Sequence, residues 1–485
     1  MGTDRHAAAP TEALNDAADV IRRWGDSDRF VPSRVVQPIQ RLLALETAGG
    51  VVMLLAAIAA LIWANSPAHG SYVRLWEETH ISIHLGEGFL HLDLSVRDFV
   101  NDVLMTIFFY LAALEIKHEL VHGTFRDRRA AALPAIAALG GMVGPALVFT
   151  AFNAGGPGAG GWGIPMATDI AFAVAVVTLA GSRIPLAARM FLLTLAVADD
   201  IGGILVIAVF YTDGMQIGWL AASVAALALS YVAQRLGIRS YAPYLALGVV
   251  AWFCLHESGV HATIAGVALG FITPASPFYA PRLFGAAARP LVDRVATATA
   301  HDVQDGHEGE DSSEAQTSLR DLVRLGVETM SPLERHLAWA GPWVAFLVIP
   351  LFALANAGVR VVDGELGNPL GDPVVLGVVL GLVVGKTVGI TLAAAIAVTA
   401  RVAKLPTGVT WPMIVGLATT GGVGFTVALF VTSLAFEGDA ALTDQAKLGV
   451  LVGSLIAGLL GFTMLKLAAS RRPAEAAAET VPAGH

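Results

Sequence analysis

Twelve predominantly apolar segments follow one another along the 485-residue chain, separated by polar connections that are mostly short. A helix needs about 20 mostly apolar residues to cross the hydrocarbon core of a bilayer. The pattern therefore predicts an all-α polytopic membrane protein with twelve transmembrane helices. They are expected near residues 47–65, 98–121, 131–152, 163–180, 187–211, 217–236, 241–256, 259–273, 337–359, 372–400, 411–436 and 446–468.

The amino-acid composition excludes other broad classes of protein. Only 14% of the residues are charged, whereas a soluble globular domain carries roughly 25%. The 51 glycines show no G-X-Y period, which excludes a fibrous protein, and the net charge of −9 argues against nucleic acid as a partner. A single cysteine, Cys254, excludes an internal disulfide, and the polar first 36 residues do not resemble a cleavable signal peptide.

Basic residues are distributed unevenly between the two sides of the predicted spans. Of the 30 lysines and arginines, Lys386 lies inside a span, and Arg74, Arg97, Arg360 and Lys447 lie on one side of the membrane. The remaining 25 lie on the side of the two chain termini. Because lysine and arginine accumulate in cytoplasmic connections, both termini are predicted to be cytoplasmic.

This topology divides the chain into tails, helical parts and two long connections. The predicted parts are a cytoplasmic N-terminal tail at 1–40, helices 1–8 at 41–282 with an outward connection at 67–96, an acidic cytoplasmic loop at 283–336, helices 9–12 at 337–470 and a C-terminal tail at 471–485. The acidic loop carries ten acidic residues and five arginines, a composition that is typical of a solvated tether. A regulatory role for this loop is the alternative.

The outward connection contains two runs in which apolar and polar residues alternate. The runs at 80–85 and 90–94 flank Gly86-Glu-Gly, which predicts a β-hairpin at 80–94 outside the membrane. A two-stranded hairpin is only marginally stable by itself. A function for this hairpin would be to pair with a second copy of the chain.

Two adjacent carboxylates, Asp199 and Asp200, lie in the middle of a predicted span. A charge at that depth costs at least about 2.5 kcal/mol on insertion scales, which makes it a functional hypothesis by default. Neighbours on a helix point about 100° apart, so one carboxylate can face a water-filled cavity while the other meets a neighbouring helix. Because two close carboxylates disfavour double ionisation, the pair is suited to exchanging protons against a cation. A pair at an interfacial helix end is the alternative.

Lys386 lies in another apolar span and needs a carboxylate partner or must lose its proton. Asp199 and Asp200 are the candidate partners. Such a pair either breaks during ion exchange or only holds helices together, and the sequence leaves both interpretations open.

Two spans contain signals for an interrupted helix. Thr168 and Asp169 follow Pro165 and a glycine-rich run, and the segment 419–426 contains three glycines. Interruptions in corresponding places of two halves indicate the binding site of a transporter. Glycines that only allow close helix packing are the alternative for the second segment.

Further titratable residues lie near the ends of the spans. Asp102, Glu115 and Glu119 flank the second predicted span, either as a funnel for cations or as a plain interfacial face. His261 is a candidate pH sensor, with a hydrogen-bonded structural histidine as the alternative.

Motifs of the common enzyme classes are missing from the sequence. His256 and His261 are five residues apart and therefore do not form the H-E-x-x-H zinc motif. Without a P-loop or a G-x-S-x-G motif, no ATP-driven mechanism and no cofactor is expected. An intramembrane aspartyl protease using Asp169 and Asp200 would leave Lys386 without a role. A sodium-coupled symporter or a channel is the nearer alternative.

Several motifs together resemble the NhaA family of bacterial sodium/proton antiporters. They are Ala167-Thr-Asp-Ile-Ala-Phe-Ala, Ala198-Asp-Asp-Ile-Gly, Gly259-Val-His-Ala-Thr-Ile-Ala-Gly, Leu351-Phe-Ala-Leu-Ala-Asn-Ala-Gly-Val, Gly385-Lys-Thr-Val-Gly-Ile and Gly422-Val-Gly-Phe-Thr. The resemblance runs in order from about residue 40 to 470. It implies inverted repeats with two interrupted, crossing helices in a bacterial inner membrane.

The resemblance also implies roles for the central residues. Asp200 would be the main carboxylate for H+ and for Na+ or Li+, with Asp199 assisting it and forming the pair with Lys386. Thr168 and Asp169 would belong to the interrupted helices, where Asp169 compensates the partial charges of facing helix ends. Exchange would be electrogenic and most active at alkaline pH.

For the periphery, the resemblance implies that Asp102, Glu115 and Glu119 line the cytoplasmic approach and that the 80–94 hairpin mediates a homodimer. Two positions depart from the family pattern. A single displaced histidine, His336, precedes Pro342-Trp, and His118 stands where an arginine is common. The first departure affects the residues to which the family's pH response is linked.

Overall fold

The structure is a computed structural model of the chain. It describes Arg34 and residues 48–85, 90–212, 214–238, 241–304, 313–360 and 371–470. The predicted C-terminal tail lies outside the described residues, as does the predicted N-terminal tail except for Arg34.

Helices dominate the described part of the chain. Numbered in chain order, they are α1 Ala48–Ala64, α2 His69–Val73, α3 Val96–Val121, α4 Arg128–Asn153, α5 Ile170–Ala180, α6 Leu186–Phe210, α7 Ile217–Arg235, α8 Tyr241–Glu257, α9 Thr263–Ile272, α10 Phe284–Gln304, α11 Ser313–Thr329, α12 Pro332–Asn356, α13 Pro373–Thr399, α14 Trp411–Thr420, α15 Phe425–Ala435 and α16 Ala440–Ser470. A π-helical turn interrupts each of α3, α12 and α13, and a 3-10 helix, Pro157–Met166, precedes α5.

Each predicted span coincides with a helix or with a pair of helices. Within the described residues, seven helices are long and apolar enough to cross a membrane, and two bent pairs raise the number to nine. The helices α1, α8 and α9 occupy the other three predicted spans, but they have only 17, 17 and 10 residues. The all-α membrane fold is thus confirmed, whereas the count of twelve stays a prediction.

The predicted β-hairpin is confirmed. Strand β1, His80–Leu85, pairs antiparallel with β2, Leu90–Ser95, in a register that sets His80 opposite Ser95. On β2 the alternation buries Leu92 and Leu94 and exposes Asp93 between them. The turn at 86–89 lies outside the described residues.

The expectation of a solvated tether at 283–336 is wrong for its described residues. The helices α10 and α11 occupy most of this segment and pack against each other. Apolar residues recur at helical spacing on both helices, and Leu291 and Val295 on α10 and Leu322 and Leu325 on α11 are partly buried. The many charges of this segment indicated a solvated tether. Its apolar residues, however, recur with the helical period of about 3.6 residues, and most of its described residues are helical.

Close packing between α4 and α13 positions the centre of the membrane domain. Gly140 and Gly144 on α4 face Gly385 and Gly389 on α13, so each helix carries two small residues spaced four apart. Such pairs allow helix backbones to approach closely in a membrane. A Cβ on Gly144 would lie 2.5 Å from the carbonyl oxygen of Gly385. The approach fixes the backbone that carries Lys386, the next residue of α13.

We therefore expect Gly144→Ala to lower the midpoint of thermal unfolding in detergent. The added methyl group would push α4 and α13 apart, and overpacking of this kind costs about 1–3 kcal/mol. Gly341→Ala on α12 is the matched control, because nothing lies within 4 Å of a Cβ at that position. Equal midpoints for the two variants would show that the contact tolerates a larger residue.

Candidate functional site

Two interrupted helices meet inside the protein. The 3-10 helix Pro157–Met166 and α5 are bent by 49°, and α14 and α15 by 48°. At the breaks, the Asp169 backbone N–H donates to the carbonyl oxygen of Val423 at 2.7 Å. A Cβ on Gly424 would lie 2.9 Å from the Ala167 carbonyl oxygen, so a glycine is required there. The prediction of two interrupted helices is confirmed, and the glycines at 421–424 form the break between α14 and α15.

Asp169 connects the starts of two helices. Its Oδ1 accepts the Phe172 N–H at 3.1 Å, in the first turn of α5. Its Oδ2 accepts the backbone N–H of Thr426 at 3.3 Å and the Thr426 hydroxyl at 2.7 Å, in the first turn of α15. Helix N-termini carry partial positive charge and unsatisfied N–H groups. A single buried carboxylate therefore serves both helix ends.

Lys386 forms its ion pair with Asp199, not with Asp200. The Lys386 ammonium contacts Asp199 Oδ2, and both side chains are buried, with 0% and 2% of the residue exposed. The same ammonium donates to the Thr168 hydroxyl at 2.6 Å. A buried charge at bilayer depth is tolerated when it is paired and hydrogen-bonded. Three elements, α6, α13 and the break before α5, thus meet at one polar point.

The Thr168 hydroxyl completes this polar point. It lies 2.7 Å from Asp199 Oδ2 and 2.8 Å from the carbonyl oxygen of Gly421. Because the hydroxyl has one hydrogen, it donates to one of these oxygens at a time. Thr168 therefore links the ion pair to the break between α14 and α15.

Asp199 also presents an open oxygen. Its Oδ1 is buried and has no hydrogen-bond partner within the described part of the chain. A cavity of about 10 Å³ lies beside it, close to the volume that one water molecule needs. Asp199 and the half-buried Asp200 are the polar residues of its lining, which otherwise consists of Phe108, Phe109, Ala112, Ala167, Gly203, Ile204 and Val427.

The chemistry of this cavity suits a loosely held cation. No group of three or more His, Cys, Asp or Glu side chains that could hold a metal ion occurs among the residues that the structure describes. The two carboxylates of the lining offer oxygen atoms, and any further ligands would have to be water or backbone oxygens. Oxygen ligands suit hard cations, and a site with few fixed ligands can release its ion.

Asp102, Glu115 and Glu119 all lie on α3, but they are not at the same end of it. Glu115 is accessible and close enough to interact electrostatically with Asp200, and Glu119 lies one turn further toward the end of α3. The adjacent Lys117 donates to the carbonyl oxygens of Phe271 and Thr273 at 2.7 and 2.5 Å, which ties α3 to the end of α9.

Asp102 lies near the opposite end of α3. Its Oδ2 is 3.7 Å from His256 Nδ1 at the end of α8, and the Trp252 indole stacks on the His256 ring. Seventeen residues of helix separate Asp102 from Glu119, about 25 Å along the axis. His261 lies in the connection between α8 and α9 and thus near the Asp102 end. The structure brings neither Asp102 nor His261 to the cavity.

The displaced histidine His336 contacts α3. Its Nδ1 forms a hydrogen bond with the Tyr110 hydroxyl, and its ring lies 5.5 Å from the ring of Tyr241. His118 lies near the end of α3 with its ring 5.3 Å from that of His122. Both histidines are outside the cavity lining.

Sequence reasoning missed two residues that support the site. Thr426 binds Asp169, and the Ser454 hydroxyl accepts the backbone N–H groups of Gly424 and Phe425 at 3.3 and 3.2 Å. Thr426 ends the glycine-containing motif and could have been singled out as a polar residue at a helix start. Ser454 is one hydroxyl in a long apolar helix, and no local pattern distinguishes it.

Comparison with known proteins agrees with this architecture. Residues 40–465 match the family model described as Na+/H+ antiporter 1. The chain is 44% identical over 443 residues to the Na(+)/H(+) antiporter NhaA of Anaeromyxobacter sp. (strain Fw109-5), covering 91% of this chain and 94% of that protein. Identity to the NhaA antiporter of Syntrophobacter fumaroxidans is 44% over 439 residues, covering 90% and 92% of the two chains. The chain therefore belongs to the Na+/H+ antiporter 1 family.

Proposed function

We propose that this sodium/proton antiporter binds its ions at one site, formed by Asp199 and Asp200, with Lys386 as the competing cation. One observation carries the proposal. Asp199 and Asp200 line one small cavity, Asp199 Oδ1 has no hydrogen-bond partner among the described residues, and the Lys386 ammonium pairs with the other Asp199 oxygen. The site can thus hold either protons with an intact ion pair or a metal cation.

The charges of the site support an electrogenic exchange. In the proton-loaded state, Asp200 carries a proton and Lys386 is an ammonium paired with Asp199. Binding of one Na+ or Li+ between the two carboxylates replaces both positive charges, so one proton leaves Asp200 and another leaves Lys386. Two protons then exchange for one cation, and each cycle moves one net positive charge.

In alternating access, the cavity opens first to one side of the membrane and then to the other. This requires the interrupted helices to move together with the cavity. The breaks carry Thr168 and Asp169, which contact the ion pair and the facing helix end. Transporters of this architecture bind their ions near the bilayer midplane at interrupted helices and alternate by rigid-body motion. Because proton and cation compete for the same carboxylates, no ATP is needed.

The rival functions are less well supported. The relatives described above are named antiporters, and neither the symporter nor the channel is favoured by them. An aspartyl protease would need Asp169 and Asp200 to converge on one peptide. Both oxygens of Asp169 already accept hydrogen bonds from helix starts. The family is one of transporters, not enzymes.

Membrane orientation and assembly belong to the same proposal. With 25 of 30 basic residues on the side of the termini, we place both termini in the cytoplasm and the protein in the bacterial inner membrane. Reporter fusions at the two termini check this orientation. The hairpin β1–β2 then projects from the outer surface, where it would pair with a second copy in a homodimer.

For the ion site, we expect Asp200→Asn to reduce sodium-induced collapse of a proton gradient in everted vesicles to the level of vesicles without the protein. The amide keeps the shape of the side chain but can neither bind a proton nor carry the charge that attracts Na+. Asp321→Asn on the exposed face of α11 is the matched control and retains exchange. Normal exchange by the Asp200 variant would refute the site.

For the ion pair, we expect Lys386→Met to destabilise the protein by about 3–5 kcal/mol, because Asp199 would be left as an unpaired buried charge. Adding Asp199→Asn should restore part of this loss. Thermal unfolding of the single and double variants in detergent measures the coupling. If the losses in the free energy of unfolding caused by Lys386→Met and by Asp199→Asn add up to the loss in the double variant, the pair contributes nothing to stability.

For the homodimer, we expect replacement of residues 81–94 by a short glycine-serine linker to convert a dimer into a monomer. Size-exclusion chromatography with light scattering, in the same detergent, gives the two masses. Exchange by the variant in vesicles shows that the helices still fold. An unchanged mass would assign the interface to another surface.

A further inference from the structure

The helix α11 carries an exposed apolar row that the fold does not cover. Leu319, Val323, Val327 and Met330 are 49, 66, 42 and 48% exposed. Spacings of four, four and three residues place them on one face of the helix, over about 16 Å. The row is distinct from the face that packs on α10, where Leu322 and Leu325 lie.

Helix α10 contributes an exposed apolar residue to the same surface. Val292 on α10 is 52% exposed and directly follows the packed Leu291, just as Val323 directly follows the packed Leu322. One residue along a helix is a rotation of about 100°. The residues before α10 contact the end of α11, so the two helices run antiparallel. Seen from one end, a step of one residue then turns the two helices in opposite senses, which brings both valines to one side of the pair. The exposed residues therefore form a single apolar surface, the hairpin face.

Two arginines border the apolar row. Arg320 and Arg324 follow Leu319 and Val323 directly, and both are exposed. The Nε–H of Arg324 also donates to Glu328 Oε1 at 3.0 Å, whereas Asp321 lies on the far side of α11 by the same helical geometry. Helices that lie in a membrane interface combine an apolar face with arginines at its border and keep acidic residues away from the lipid. A solvated helix has no need for this arrangement.

Both ends of the pair are attached to the membrane domain. The N–H groups of Phe278 and Tyr279, just before α10, donate to the Glu328 carbonyl oxygen at the end of α11, at 3.0 and 3.1 Å. The spanning helix α12 begins at Pro332, directly after Met330 and Ser331. Along α12 the lipid-facing surface continues with Trp339 and Trp343, which are 71 and 57% exposed. One residue, Ser331, therefore separates the end of the apolar row from a helix with large exposed apolar side chains.

We propose that the hairpin face binds the bilayer surface next to the spanning helices, with its apolar row among the upper acyl carbons and Arg320 and Arg324 on anionic headgroups. Interfacial helices insert about 5–10 Å in this way. A negatively charged leaflet attracts arginines near the surface. The occupant is the membrane itself, because the row is followed directly by a helix long and apolar enough to span it, and because the bordering arginines are complementary to anionic lipid.

Site-directed spin labelling of the full chain in vesicles tests the proposal. In a Cys254→Ala background, which removes the single native cysteine, Val323→Cys and Asp321→Cys carry the label on opposite faces of α11. In phosphatidylglycerol vesicles, we expect the label at 323 to be more accessible to oxygen than to a water-soluble nickel chelate, and the label at 321 to show the reverse. Retained sodium/proton exchange shows that both variants fold.

Two other results would overturn the proposal. Free access of the nickel chelate to position 323 would show that the hairpin face is in water. Exclusion of both reagents would show that protein covers it, from a second copy or another part of this chain. For the charge, we expect the oxygen preference at 323 to fall in phosphatidylcholine vesicles and in an Arg320→Gln, Arg324→Gln variant. An unchanged preference in both would exclude the role of anionic headgroups.

Discussion

The buried ion pair between Lys386 and Asp199 sets requirements for the whole membrane domain. A charge at bilayer depth is stable only with a partner and further hydrogen bonds. The close packing of α4 on α13 fixes the backbone next to Lys386, and Thr168 reaches the pair because the chain is interrupted at residues 167–169. Lys386 pairs with one oxygen of Asp199, while the other has no partner among the residues that the structure describes, and Asp199 and Asp200 line one cavity. The pair therefore both stabilises the helices and shapes the cavity.

The interrupted helices create a second electrostatic problem, which the structure solves locally. Each break leaves backbone N–H groups without helical partners, and no water is available in the hydrocarbon core to bind them. Asp169 accepts hydrogen bonds from both helix starts, and Ser454 accepts two more from the start of α15. The polar backbone at the breaks is thus hydrogen-bonded without using Asp199 or Asp200, which line the cavity.

Predictions from the sequence succeeded where the signal is periodic and local, and failed where it is compositional. Alternation predicted the hairpin at 80–94, apolar length predicted the spans, and local proline and glycine predicted both interruptions. The acidic segment 283–336 was misjudged because its many charges outweighed the helical spacing of a few apolar residues. Asp102 and Glu119 were grouped because both flank one span, although a helix of that length places them at opposite ends. Ser454 was missed because its partners come from a distant segment.

The sequence by itself determined which residues carry a cost at bilayer depth, namely Asp169, Asp199, Asp200 and Lys386. That cost depends on each residue and its apolar neighbours in the chain, so a single sequence is sufficient to find it. The residues alone left the partner of Lys386 open, and the family resemblance only implied that pair and the place of Asp169 at helix ends. Only the tertiary structure showed the contact of Lys386 with Asp199, the hydrogen bonds of Asp169 to two helix starts and the position of Asp200 in the cavity lining. Partner choice depends on the rotation and distance of helices, which are set by contacts between residues far apart in the chain.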